Sequence, residues 1–349
     1  MLARRRDFLA LLTSTSLTLL LALAAGAEDG VLKLAPGATI KAAGNQIKGP
    51  ITSESPIEVK IGTQTVPVEQ IDSLEYEPTP PKYLLAKNAE GAGNLTKAAD
   101  LYGEAATEAG PGKPLVTRAS LFQRARVVAA IAQADKSKGD EAVRLLEGFI
   151  RGNPQSRQLA PALETLARLD MSRGQLDRAE KSLTDLAKVP WAEPKARVMQ
   201  ARLLVQRGQA DQAVARLDDL LSKTSGGPER KRDALLAKAE ALGAQKKFDE
   251  AMKIAQEIIR NAGPEDAETQ AAAHNTLGEV LKLAGKTKDA LIEFLHTDIL
   301  YSRDREQHPR ALAQIVDLCR ELKLDEQAKE AADRLKAEYP SNPYTAALR

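Results

Sequence analysis

Leu277-Gly278-Glu279-Val280-Leu281-Lys282-Leu283-Ala284-Gly285-Lys286-Thr287-Lys288-Asp289-Ala290-Leu291-Ile292-Glu293-Phe294 decides how the rest of the chain is read. The spacing predicts two antiparallel helices joined by a tight turn. Gly278 and Ala290 are small, so the helices can approach closely, and Leu277, Leu281 and Phe294 fill the space beside them. Gly285 ends the first helix because glycine accepts the left-handed backbone at no steric cost.

The small residue of the second helix recurs as Ala98, Ala142, Ala179, Ala213, Ala251, Ala290 and Ala328, at spacings of 44, 37, 34, 38, 39 and 38. Four residues on stand Tyr102, Leu146, Leu183, Leu217, Ala255, Phe294 and Ala332, and three further Ala105, Phe149, Leu186, Leu220, Ile258, Thr297 and Leu335. That is one helical face, apolar at every station but Thr297. Twelve residues before each small residue come Ala86, Ala130, Ala167, Ala201, Ala239, Gly278 and Val316, where the first helix packs on the second. Asp140, Asp177, Asp211 and Asp249 each precede the key alanine by two, a place for a short carboxylate to cap the second helix. Asn153-Pro154, Val189-Pro190 and Tyr339-Pro340 close units with a breaker.

These residues resemble the 34-residue tetratricopeptide (TPR) pattern L-G-x2-Y…A-x3-F, with Leu281 at the aromatic position. The resemblance covers residues 82–341. It departs from the family in lacking the tryptophan that opens the pattern, and in spacings above 34. It implies a mainly α, TPR-like helical-repeat solenoid of seven helix-turn-helix units with a concave groove lined by the first helices. The family uses that groove to hold peptide segments or partner helices. The positions flanking the packing residue nominate Glu164, Arg168, Val198, Arg202, Leu236, Glu240, Asn275, Glu279, Ala313 and Asp317 as groove residues. Signs alternate among them, unlike the lysine and asparagine clamp with which some TPR proteins grip a terminal carboxylate. The bland alternative is solvated charges in i,i+4 pairs.

Ahead of the repeats, Leu32-Lys33-Leu34 and Ile57-Glu58-Val59-Lys60-Ile61 alternate apolar with polar, punctuated by Gly37, Gly44-Asn45, Gly49-Pro50 and Gly62. About five short strands over residues 28–76 would form a small SH3-like barrel or curled sheet, marginal alone and expected to lean on the first helices. Glu77-Pro78-Thr79-Pro80-Pro81 predicts a stiff linker, residues 77–81. Residues 342–349 would be a C-terminal tail.

Arg4-Arg5-Arg6-Asp7-Phe8-Leu9, an apolar run to Leu23 and the small-x-small Ala25-Gly26-Ala27 resemble a twin-arginine export signal occupying residues 1–27. An uncleaved anchor helix is the alternative, disfavoured by Thr13, Ser14, Thr15, Ser16 and Thr18 in the run. Cleavage would begin the mature chain near Glu28, in the periplasm or cell envelope. Of 50 basic and 48 acidic side chains that segment holds three and one, so the remainder balances at 47 of each. A chain without net charge has no global field to draw in nucleic acid.

No nucleophile elbow, phosphate loop, H-E-x-x-H or dinucleotide fingerprint occurs. No catalytic residue, cofactor or metal ligand is therefore assigned. His274 and His296 fall on the two helices of one unit, where a two-ligand site is conceivable, but surface or half-buried roles are expected for all three histidines. Cys319 sits among Ile315, Val316, Leu318 and Leu322 as core filler, and Trp191 is expected to plug a joint between units. The leading reading is a non-enzymatic protein interaction scaffold. The alternatives are a glycan- or polymer-associated accessory of an envelope enzyme or secretion system, with the β module as its ligand-binding part, and self-association through the last helix, Ala328 to Leu335.

Overall fold

The computed structural model describes residues 28–225, 228–340 and 342–348. The expected export segment, residues 1–27, lies outside them. Five strands come first: β1 (Glu28–Leu34), β2 (Gln46–Glu54), β3 (Glu58–Ile61), β4 (Gln64–Pro67) and β5 (Ile71–Glu77). They form one antiparallel sheet in the order β4-β3-β2-β1-β5, so the last strand returns to pair with the first. The alternating apolar residues Leu32, Val59, Ile61 and Val66 are fully buried, as strands with one covered face require.

Helices then come in pairs: α1 (Pro81–Gly91) with α2 (Leu95–Ala109), α3 (Pro114–Ala134) with α4 (Gly139–Gly152), α5 (Leu159–Ser172) with α6 (Leu176–Leu186), and α7 (Glu193–Gln206) with α8 (Ala210–Lys223). The series continues with α9 (Pro228–Ala244) and α10 (Phe248–Asn261), α11 (Ala267–Leu283) and α12 (Thr287–Leu300), and α13 (Gln307–Glu321) and α14 (Asp325–Glu338). A short α15 (Pro343–Ala346) ends the described chain. The fold is a mainly α, TPR-like helical-repeat array of seven hairpins preceded by a small β sheet.

The seven phased alanines are all buried, six of them completely. Phe294 is fully enclosed, and a Cβ on Gly278 would stand 2.9 Å from its ring, which is why that position is glycine. Gly174, Gly208 and Gly285 take the left-handed conformation at the hairpin turns, and Lys246 and Lys323 adopt it in the fifth and seventh units. One station is off register. In the second unit Ala129, not Ala130, is the buried packing residue, because α3 is 21 residues long and a 3-10 turn, Lys136–Lys138, separates it from α4.

Asp140, Asp177, Asp211 and Asp249 all lie inside the first turn of their helices and not at the expected N-cap, which Lys138, Gln175, Gln209 and Lys247 occupy, and two of them take another role. Asp177 and Asp140 lie inside the first turns of α6 and α4 without capping them by a side-chain hydrogen bond. Each instead pairs with an arginine at the end of the next unit's first helix, Asp140 with Arg173 and Asp177 with Arg207 at 2.6 Å. The acid still favours the positive helix end, and the pair clasps one unit to the next.

The sheet and the first helices share one core. Leu32, Ile47, Leu74 and Tyr76 join Tyr83, Tyr102, Phe122 and Leu146 in a single hydrophobic cluster, so no gap opens across the proline-rich segment. Three polar ties reinforce it. Glu28 accepts hydrogen bonds from the free amides of Leu115 and Val116 at the start of α3, at 2.6 and 3.1 Å. The nearly buried Glu54 carboxylate pairs with Arg118 and faces Arg157 at 3.7 Å. Trp191 Nε1 donates to the carbonyl of Pro56 between β2 and β3, at 2.8 Å. Trp191 does pack into the joint between α5 and α7, and it also carries the sheet as far as the fourth unit.

The array curls back on itself. α15 packs against α3, α13 and α14, and Arg168 on α5 reaches Glu306, just before α13, at 3.4 Å. Residues 342–348 are thus a packed segment and not a free tail. The apolar face of α14, Ala328, Ala331, Ala332 and Leu335, is buried within the chain and leaves no stripe for a second copy. Among the described residues no helix is long and apolar enough to cross a membrane.

Candidate functional site: the concave face of the first helices

The first helices line the inner face, and charged side chains join each to the next. Glu164 on α5 meets Lys195 on α7 at 2.8 Å and Arg168 one turn along at 2.8 Å. Arg202 on α7 forks onto both oxygens of Glu240 on α9, at 2.8 and 3.1 Å. Arg232 on α9 reaches Glu268 on α11 at 2.9 Å, and Arg310 on α13 grips Glu279 on α11 at 2.9 and 2.6 Å. Burial works against the charge on Arg202 and Arg310, but the facing carboxylates outweigh it and hold both guanidinium pKa values above their ordinary range.

Four of the expected groove residues, Arg202, Glu240, Glu279 and Glu164, sit in this ladder, and Arg168 stands at its edge, half exposed. Val198 and Leu236 are buried beneath it, at 5% and 3% exposure, and form its apolar floor. Asn275 is fully buried and donates to the carbonyl and side chain of Gln307, which fixes α11 against α13. Ala313 packs on the C-terminal core, while Asp317 is exposed. Pairing between units, not i,i+4 pairing within a helix, accounts for most of these charges. Lys195, Arg232, Glu268 and Arg310 were not nominated from the sequence. The signal for them is an opposite charge about one repeat away, as Arg202 and Glu240 are separated by 38 residues.

The ladder surrounds a recess of about 170 Å³ lined by Arg168, Lys195, Arg202, Arg232 and Arg310, with Asp233, Glu240, Glu268, Asp304 and Glu306. That volume is below the several hundred Å³ of an ordinary small-molecule site and suits one or two side chains. Nearby, α15 bridges α3 and α13, helices from opposite ends of the array. Its Tyr344 and the following Leu348 pack on the α13 core, and burial first, then the anionic Glu279 and Glu306, raise the Tyr344 phenol pKa against the pull of Arg310.

The histidines depart from expectation. His308 is fully buried, with Nε2 2.7 Å from Asp298 and Nδ1 2.8 Å from the Tyr339 hydroxyl. His274 on α11 and His296 on α12 lie with ring centroids 4.7 Å apart beside Glu293. Cys319 is buried as expected, and burial raises its thiol pKa. Tyr76, the only aromatic residue of the β module, is 2% exposed, so the sheet offers no aromatic platform for a sugar ring.

No protein-family model and no curated protein matches this chain. Among solved structures it is similar to a tetratricopeptide repeat protein from Parabacteroides merdae, 17% identical, covering 73% of this chain and 91% of that one at a TM-score of 0.49. It is also similar to PilF of Pseudomonas aeruginosa, 16% identical over 65% of this chain and 96% of that one, TM-score 0.36. A third is YrrB, described as a TPR protein with an unusual peptide-binding site, 16% identical over 57% and 95%, TM-score 0.31. At these scores the likenesses are loose, and the fold rests on the hairpins themselves.

Proposed function

We propose that the protein is a non-enzymatic interaction scaffold of the cell envelope that holds a short partner segment on the concave face of its first helices. The observation that carries this reading is α15: a seven-residue stretch, Asn342 to Leu348, already lies across α3 and α13 as a peptide ligand would. The recess beside it carries five cationic and five anionic side chains, which suits a segment of mixed charge over a uniformly acidic or basic one. The envelope part rests on the twin-arginine-like sequence of residues 1–27.

A photoreactive amino acid at Arg202 or Glu240, with Lys253 on the outer α10 as control, tests it in envelope extracts. The expected result is a discrete crosslinked partner from the concave positions, stronger when residues 342–349 are removed. No capture, or equal capture from Lys253, contradicts it.

A further inference from the structure

We propose that His274, Glu293 and His296 form a binding site for a divalent transition-metal cation of the zinc class, joining the two helices of the sixth hairpin. Ligand-capable atoms of the three lie within 4.8 Å of one another. His274 Nδ1 is 2.7 Å and His296 Nδ1 3.7 Å from the same carboxylate oxygen, Glu293 Oε2.

Three features favour a cation over a plain hydrogen-bonded cluster. The first is the donor set. Two imidazoles and one carboxylate match zinc's preference for nitrogen and oxygen ligands, and three protein ligands leave a fourth position open. The second is spacing. Tetrahedral bonds of about 2.0–2.1 Å place ligand atoms roughly 3.3 Å apart, so the 3.7 Å pair must close, the 2.7 Å pair must open, and the two imidazole nitrogens start within 4.8 Å of each other. The third is an unmet need. His296 Nδ1 is shielded from solvent and makes no hydrogen bond, although His296 itself is 42% exposed and its ring accessible. A cation bound there satisfies that nitrogen and the carboxylate together.

The surroundings hold the ligands in place. His274 stacks on Tyr301, with centroids 5.9 Å apart, and is buried along α11 between Ala273 and Asn275. Glu293 and His296 are one turn apart on α12, the arrangement that points both side chains to one side. Glu293 also borders an open recess of about 450 Å³ between α10, α11 and α12. Coordination links α11 to α12 beside the Gly278–Phe294 contact, so the bound ion should stiffen that hairpin.

The test is isothermal titration of tag-free, chelator-treated full-length protein with Zn²⁺ alone, and with Mg²⁺ as the hard-cation control. Wild type, His296→Ala and Glu293→Gln are compared, with circular dichroism confirming that each is folded. Half-exposed His296 is the variant least able to disturb the core. The proposal expects one Zn²⁺ per chain, no Mg²⁺ heat, and affinity reduced about tenfold or more in either variant. X-ray absorption at the zinc edge should show imidazole scattering. No stoichiometric zinc binding, or binding unchanged in both variants, overturns it.

Discussion

Trp191 Nε1 donates to the carbonyl oxygen of Pro56 at 2.8 Å, a contact between residues 135 apart that carries the β sheet onto the fourth hairpin. As the only tryptophan, it reports on that joint alone. Trp191→Phe should keep the packing and lose the hydrogen bond, costing about 1 kcal/mol. Trp191→Ala should cost about 2 kcal/mol or more in urea unfolding, because the packing goes too. Removing residues 28–77 should shift the wild-type emission to the red. Unchanged emission would detach the sheet from the fourth unit.

Gly278 faces the enclosed ring of Phe294. A Cβ there would meet Cε2 and Cζ of Phe294 at 2.9 Å, and Phe294 is completely buried. Gly278→Val should therefore destabilise by about 2 kcal/mol despite its added burial. Pairing it with Phe294→Leu should recover part of the loss in a double-mutant cycle, and simple additivity would refute the contact.

Glu54 sits between two guanidinium groups with its side chain 2% exposed. Glu54→Ala leaves Arg118 and Arg157 facing each other without a counter-charge and should cost about 3 kcal/mol in chemical denaturation. Restoring stability with Arg118→Met in the same chain would identify uncompensated charge as the cause.

Acid should loosen the C-terminal end through Asp298. Burial pushes its carboxyl pKa up, but hydrogen bonds from His308 and Arg334 more than reverse this and hold it below the ordinary carboxylate range. Because the folded value is the lower one, the stabilisation is complete above the unfolded pKa of about 3.9 and disappears as pH falls through the folded value. Asp298→Asn should be less stable at neutral pH and should lose less between pH 4 and the acid limit. A parallel pH profile for both proteins would remove Asp298 from the acid response.

Periodicity made the hairpins legible because an alanine that must sit under a neighbouring helix cannot drift: Ala98 through Ala328 are buried at their expected stations. Register failed at Ala130, where a longer helix shifts the packing face by one residue. The inner face was half legible. Arg202 and Glu240 point there as helical phase predicts, but Val198, Leu236 and Asn275 do not reach solvent, since the array curves tightly enough for neighbouring first helices to cover them. Nothing local in Asn342 to Leu348 announces that it packs on α3, over two hundred residues earlier, because that depends on the accumulated rotation of seven hairpins. The His274, Glu293 and His296 cluster was partly visible as two histidines on paired helices. Their convergence on one carboxylate required the crossing of α11 and α12.

Closure of the array rests on α15, which bridges α3 and α13, and on Arg168, which meets Glu306. Small-angle X-ray scattering of the purified chain measures it without altering a residue. A closed array predicts a pair-distance distribution with a single compact peak that falls steeply to its maximum dimension. A long, slowly decaying tail, as from an open rod of seven stacked hairpins, would contradict it.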